Sequence, residues 1–543
     1  MNDPKPGLTR VHRLVLAALS IVPMVLCVAD WDIWVLGYVA WIPLLAAVDG
    51  LRPRQALFWG WLVGTFTVFW GFFWITELLV KFAGFPLALG APVTLLFASY
   101  HGLLWGFAMM LTVWLTARTR LPLWVTAPIC WVVVEATLPN IFPIYMAQGW
   151  AAEPVMIQTA ELGGVTTVSF LMVATNAALY AVGLRFLQTR ALDKPAAIAA
   201  GVLLLGVPLY GSVRIWQVES TMAAAEHLKV GVVQGNMSIA EMTRPRLRDR
   251  AFNGELRKSR ELVAEGAELI LWGETAYPNS RIFHRGSKQE PPQGHPWRLH
   301  QGFDVPIIFG TVTREDPRGQ NCGSIHKCWN TALLIGSDGK ISDRYDKVYR
   351  LVFGEYAPVV DPEWYLSQIP TASHLQQGEG PKALQMGEHR LGAFICYEDI
   401  LPRYVRETAN QGVHAFVNLT NDAWFGKTHE PAQHLGLAVF RAVEHRKGML
   451  RSVNTGISTY VDPTGRKVHR TEVTDPDIEG PQEPDGFVAD VPMMDPDAKT
   501  PYMLTGELFN GLCMLSLLVL GWRFRREDSP TAPRDAADVA DVA

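Results

Sequence analysis

"LGAFICYEDI", residues 391–400, is an apolar run that breaks off at a thiol and passes directly into Tyr397, Glu398 and Asp399. A short apolar stretch bounded by polar residues reads as a buried β-strand. Cysteine at the carboxyl end of such a strand, beside carboxylates, is an odd choice for a filler of space. Polar residues at strand ends are where sites form in α/β sheets. The same pattern recurs on both sides. "LKVGVVQ" (228–234), "AELILWGE" (267–274), "VPIIFGT" (305–311), "TALLIG" (331–336) and "VHAFVNLTND" (413–422) are β-rich runs that end in polar residues. Helical patterns lie between some of them, at 246–265, 400–411 and 431–446. Apolar strands separated by helices predict a largely buried sheet in a layered α/β fold over residues 226–500.

Three of these strand ends or following loops carry reactive groups: "LWGETAYP" with Glu274, "DRYDKVYRLVFGEYAP" with Lys347 and Glu355, and "FICYEDI" with Cys396. A thiol near neutral pH is mostly protonated and reacts slowly. A base that takes its proton and a cation that holds the thiolate both activate it. Glu274 suits the first task. Lys347 suits the second, and also suits the oxyanion formed when an acyl carbonyl is attacked. Glutamate, lysine and cysteine together suffice for acyl transfer through a thioester, although the spacing alone is weak evidence because Glu and Lys are common.

The rest of the chain has a different composition. Hydrophobic residues make up 49% of the 543 residues and charged residues 18%, below the soluble norm of about 25%. The mean hydropathy is +0.12. The net charge of −4, with no basic stripe interleaved with aromatics beyond short loops, predicts no attraction to nucleic acid. A helix needs about 20 apolar residues to cross a bilayer. Candidate spans lie near 11–29, 32–48, 56–80, 91–116, 121–137, 162–187, 196–214 and 504–522. More apolar segments follow the first one directly, so it reads as a span rather than a signal peptide. Lys5, Arg10 and Arg13 precede it. Arg52 and Arg54, Arg118 and Arg120, Arg185 with Arg190 and Lys194, and Arg523 with Arg525 and Arg526 follow the even-numbered spans. The opposite loops hold only Lys81 and Arg214. The positive-inside rule then predicts seven spans in residues 1–225, an outward-facing domain at 226–500, a last span within 501–526, and both chain ends inside. Residues 527–543 are acidic and Ala-rich and read as a disordered cytoplasmic tail.

The phrases "WGETAYP", "FGEYAP", "CYED" and "NDAWFG" resemble the nitrilase (carbon–nitrogen hydrolase) superfamily, whose members carry a Glu–Lys–Cys triad on an αββα sandwich. Such a domain between seven spans and one, with "FPIYMAQGW" (142–150) ahead of span six, resembles the bacterial apolipoprotein N-acyltransferase family over nearly the whole chain. The resemblance implies an α-helical transmembrane bundle plus a nitrilase-like domain. It implies ping-pong transfer of a fatty acyl chain from a membrane phospholipid to the amine of a diacylglyceryl apolipoprotein. By matching motif, Glu274 is the base, Lys347 the oxyanion and thiolate partner, and Cys396 the nucleophile. Glu355 supports the lysine and base, and Tyr397 and Glu398 shape the site. Asn421 and Trp424, in "NDAWFG", line an acyl pocket or simply form a turn. The resemblance implies no cofactor, no metal, a monomer, and an inner-membrane enzyme whose catalytic domain is periplasmic. The same triad also serves a membrane-tethered amidase that passes the acyl group to water.

The chain departs from the family pattern in places. Val352 stands where a proline usually precedes "FGEY", and the loop 233–242 lacks a tryptophan common just beyond it. Cys322 and Cys328, in "NCGSIHKCWN", suit a disulfide, free thiols, or, least well, a metal with His326. Cys27, Cys130 and Cys513 fall in spans and read as small buried hydrophobes. His434 and His445 read as ordinary histidines that the chemistry does not need. Glu77, Lys81, Glu135 and Glu153 fall near outer span ends. "PEWYLSQIP" (362–370) reads as an arm at the bilayer or as a plain surface loop.

Overall fold

The computed structural model describes residues 8–238, 245–277, 282–315, 322, 327–369, 372–475 and 482–523. The expected disordered tail, His326 and part of the 233–242 loop lie outside the described residues. All eight apolar stretches contain helix. Leu87–Thr119, Val165–Thr189 and Lys194–Ala224 are long and apolar enough to cross a membrane. Pro53–Gly71 and Trp74–Lys81 meet the same test together, as a pair bent by 55°. Arg10–Leu26, Trp34–Val48, Leu123–Thr137 and Leu508–Arg523 are shorter. Leu96, Leu187, Leu205, Leu209 and Leu515 are among many large apolar side chains on the outside of this bundle. Water tolerates such a surface poorly.

The second half has twelve strands among the described residues: β1 (Glu226–Gln234), β2 (Leu269–Leu271), β3 (Ile307–Arg314), β4 (Cys328–Ile335), β5 (Ile341–Asp346), β6 (Ala383–Met386), β7 (His389–Ile395), β8 (Ala415–Asn421), β9 (Met449–Asn454), β10 (Thr459–Val461), β11 (Lys467–Arg470) and β12 (Asp485–Met493). They form two six-stranded sheets, ordered β12-β1-β2-β3-β4-β5 and β11-β10-β9-β8-β7-β6. In each, three central strands run parallel (β1, β2 and β3; β7, β8 and β9) and the outer pairings are antiparallel. The sheets face each other through Val230, Val232, Leu269, Leu271, Ile395, Val417 and Leu419, all buried. Burial on both faces explains why these strands read as apolar runs rather than alternating ones. The Pro245–Ala264 helix covers the outer face of the first sheet, with Phe252, Leu256 and Leu262 packed against Ile270 and Trp272. The expected layered α/β domain is therefore present, with helix on both outer faces.

The outer face of the second sheet is covered by the Glu430–His445 helix, and every residue of that helix is buried. Its far side packs on the helical bundle. Leu435, Val439 and Val443 belong to the same continuous apolar core as Trp41, Trp105 and Trp150 of the bundle. Polar links cross the same boundary. Trp74 Nε1 donates to Gln433 Oε1 at 3.0 Å and Gln433 Nε2 donates to the Gly71 carbonyl at 2.7 Å. Glu161 accepts from Arg214 of the bundle (2.5 Å) and from Arg446 of the domain (2.8 Å). Glu135 turns into the bundle, accepting from the Met146 amide (2.7 Å), Trp131 Nε1 (2.9 Å) and Ser169 Oγ (3.1 Å). It thereby pins the 142–150 stretch. Glu77 pairs with Lys81 at 3.8 Å, and Glu153 caps a short turn. Cys322 and Cys328 are joined by a disulfide, which decides among the three readings of that pair.

Candidate active site

β7 stops at Ile395, and Cys396 opens a 3₁₀ turn over Cys396–Ile400. Its φ is +58°. A non-glycine residue in the left-handed region costs roughly 1–2 kcal/mol and needs neighbours that hold it there. Glu398 is the chief of these. Its carboxylate, fully buried, accepts from the Ile395 amide (2.8 Å), the Val348 amide (2.7 Å), the Tyr349 amide (2.9 Å) and Tyr345 Oη (2.7 Å). One carboxylate thus ties the Cys396 turn to the loop just after Lys347. Asn418 of β8 donates to the Cys396 carbonyl at 3.1 Å.

Glu274 follows β2, where the chain leaves the sheet beside β3. Thr275 next to it has a φ of +53°. β3 approaches so closely that a Cβ on Gly310 would lie 2.6 Å from Glu274 Cα and 2.6 Å from the Gly273 carbonyl oxygen. Only glycine permits this approach. Lys347 follows β5, and its amide donates to the Asn330 carbonyl at 2.9 Å. Its Nζ is buried between two carboxylates, 3.2 Å from Glu274 Oε1 and 2.9 Å from Glu355 Oε2. Asn330 Nδ2 bridges the same pair, donating to Glu274 Oε1 (2.6 Å) and Glu355 Oε1 (2.9 Å).

These contacts decide the electrostatics. Burial pushes the Cys396 thiol well above its ordinary value; Lys347 pulls it down, and Glu274, Glu355 and Asp422 push it up. Burial also raises the Glu274 carboxyl, against the pull of Lys347. Burial alone would lower Lys347, but the charges of Cys396, Glu274, Glu355 and Glu398 hold it well above the usual lysine range. Lys347 is therefore a fixed cation. At neutral pH the resting thiol keeps its proton, with a carboxylate of raised basicity in the same charge-coupled cluster. Burial pushes Glu398 up to about 7, offset by its donors.

The structure brings Glu274, Lys347, Glu355 and Cys396 into one cluster. Tyr397 walls it, with its ring centroid 5.9 Å from Lys347 Nζ and its hydroxyl donating to the Arg350 carbonyl at 3.1 Å. The "NDAWFG" loop faces the bundle. Asn421 Oδ1 accepts from the Ala423 amide and from Asn454 Nδ2, both at 3.2 Å. Trp424 packs on Phe82 (centroids 5.4 Å apart) and Phe425 on Trp74 (5.3 Å). Asn330, Tyr345 and Asn418 were not legible as site residues. Each lies in a stretch already singled out, but as a single polar residue on a strand whose partners are far along the chain.

A half-buried thiol with a buried ammonium and carboxylate, set between two stacked sheets, is the arrangement of a carbon–nitrogen hydrolase. The Carbon-nitrogen hydrolase family profile matches residues 229–474. The profile of the Apolipoprotein N-acyltransferase N-terminal domain matches residues 20–178. An apolipoprotein N-acyltransferase from Allorhizobium ampelinum is 30% identical, covering 80% of this chain and 80% of that protein. One from Geobacter metallireducens is 28% identical, covering 83% and 85%. An amidase of the nitrilase superfamily from a Nesterenkonia species superposes on 53% of this chain and 98% of its own, with 20% identity and a TM-score of 0.35. The chain belongs to the apolipoprotein N-acyltransferase family.

Proposed function

We propose that this chain transfers a fatty acyl group from a membrane phospholipid to the N-terminal amine of a diacylglyceryl-cysteine lipoprotein, through a thioester on Cys396. The observation that carries the mechanism is the position of Lys347 Nζ, within 3.2 Å of both active-site carboxylates and charge-coupled to the thiol. Glu274 takes the proton from Cys396 Sγ. The thiolate adds to the donor ester carbonyl, and the oxyanion is held by Lys347. Collapse breaks the C–O bond; the departing lysophospholipid oxygen takes the proton from Glu274. The acceptor amine then attacks the thioester, gives a proton to Glu274, and expels the thiolate, which is reprotonated. Glu355 keeps Lys347 in place, and Glu398 keeps the nucleophile's turn in place.

The proposed arrangement is a bundle of eight spans in the inner membrane, seven from residues 1–225 and one from 501–526, with the domain at 226–500 in the periplasm. The sign of the loop charges supports this. Lys81 lies beside Gly426 of the domain and Arg214 reaches Arg446 through Glu161, so both outer-side cations of the sequence pattern sit at the domain. Both substrates then arrive by diffusion in the leaflet. A soluble enzyme would have to expose their acyl chains at about 0.8 kcal/mol per CH₂. One chain carries all four reacting and supporting groups, so a monomer suffices. The amidase alternative uses the same triad; the family membership favours transfer. Incubation with labelled phospholipid should leave a hydroxylamine-sensitive label on Cys396 and none on a Cys396→Ala protein. Label on the alanine variant would reassign the nucleophile.

A further inference from the structure

Beside the turn that carries Cys396 lies a second set of ionisable groups that the acyl chemistry does not use. Asp399 lies in the same 3₁₀ turn as Cys396, Asp422 follows β8, and Glu430 and His434 share the first turns of the buried Glu430–His445 helix. All are nearly or wholly excluded from solvent. His434 Nε2 lies 3.0 Å from Asp399 Oδ1. On the other edge of the ring, Nδ1 lies 3.7 Å from both Asp422 Oδ1 and Glu430 Oε1. Asp399 is also paired with Arg451.

One observation separates this set from an ordinary buried ion-pair network. Both carboxylate oxygens of Asp422, and Oε2 of Glu430, are buried with no hydrogen-bond partner. A buried carboxylate left without donors is costly, and native proteins satisfy such groups with protein, water or an ion.

The geometry fits the same answer. One oxygen each of Asp422 and Glu430 and a ring nitrogen of His434 all lie within 4.8 Å of one another. Atoms each about 2.1 Å from a common ion sit about 3.0–4.2 Å apart, so only a small inward rotation is needed. A carboxylate that receives the far ring N–H of a ligating histidine fixes the tautomer and orients the ring. Asp399 stands in that position, leaving Nδ1 directed at the two acids. A mixed set of two carboxylates and one imidazole suits zinc or manganese better than magnesium or calcium, which prefer oxygen alone.

We propose that Asp422, Glu430 and His434 bind one divalent transition-metal cation, with Asp399 orienting His434. The ion would staple three elements: the nucleophile's turn, the "NDAWFG" loop and the helix shared with the bundle. Acyl transfer needs no step through it, so the proposal stands or falls apart from the function above. The test is the metal content of tag-free full-length protein, purified in mild detergent and measured by mass spectrometry. Near one equivalent of zinc or manganese per chain is expected, with at least a tenfold loss of occupancy in Glu430→Gln. Chelator-stripped wild type, titrated with Zn²⁺ or Mn²⁺ alone, should regain one equivalent after desalting and a higher Tm; Mg²⁺ should give neither. If stripped wild type retains neither zinc nor manganese and its Tm does not move, the set is a protonated hydrogen-bonding network and the proposal fails. Equal metal in wild type and folded Glu430→Gln would place the ion elsewhere and overturn it too. If the variant does not fold, the wild-type titration decides alone.

Discussion

Cys396 combines two features that pull against each other: a backbone held in a strained conformation and a thiol held in its protonated form. In the proposed mechanism the proton keeps the thiol unreactive until Glu274 removes it. A sign follows for the pH dependence. Glu274 works as a base only when ionised, and burial raises its carboxyl above the ordinary value of 4.5. The acylation rate should therefore fall as pH drops through a point above 4.5, not through the usual carboxylate range. Glu274→Gln should lose roughly 10²–10⁴-fold in acylation rate and lose this acidic limb. A pre-steady-state pH profile with labelled phospholipid reads both. A limb that persists in the variant would assign it to another group. At this scale the sequence was legible where motifs marked a residue, as for Glu274, Lys347, Glu355 and Cys396. It was silent on Asn330, whose role depends on two glutamates 56 and 25 positions away. Glu398 was legible as a site residue, but its part as a four-donor acceptor depends on a loop 50 residues earlier.

Among the elements, the site is a convergence of strand ends from both sheets. β2 and β5 deliver the base and the lysine, and β7 delivers the thiol. Gly310 of β3 sets how closely the base approaches its neighbours. Gly310→Ala should push the Gly273–Thr275 backbone outward, because the new Cβ would meet it at 2.6 Å. We expect a loss of about 1–3 kcal/mol in stability and more than tenfold in acylation rate, with the fold retained. Thermal melting and single-turnover acylation measure the two. Six strands and three helices of the domain were legible in the sequence, since burial on both faces makes them continuous apolar runs. β5, β6, β9, β10, β11 and β12 were not. β5 ("ISDRYD") and β11 ("KVHR") are short and polar, and β9 ("MLRSVN") hides Arg451 in a fully buried strand, where the charge masks the pattern.

For the whole molecule, bundle and catalytic domain share one apolar core and one ionic knot. Arg446 donates to Glu161 and to Gln158 Oε1 (2.7 Å), and Glu161 also holds Arg214 and Tyr210. Removing one partner of a buried ion pair leaves charge and donors without compensation. Arg446→Ala should destabilise the protein by about 3 kcal/mol. The two halves should still unfold in one calorimetric transition, because the apolar core between them remains. Separate transitions in the wild type would show that they are independent. The alternation of Lys and Arg along the chain was legible at this scale, and so was the two-part composition. The double burial of the shared helix was not. "EPAQHLGLAVFRAVEH" carries glutamate, histidine and arginine, which do not announce burial, yet both its faces are covered.

That doubly covered helix makes the helical half an obligate scaffold rather than an anchor. A catalytic half expressed by itself would present a raw greasy flank and clump. Harsh detergents that splay the bundle would silence chemistry taking place well away from them. Any attempt to engineer a water-soluble form would have to supply a new cover for that helix, not merely sever a tether.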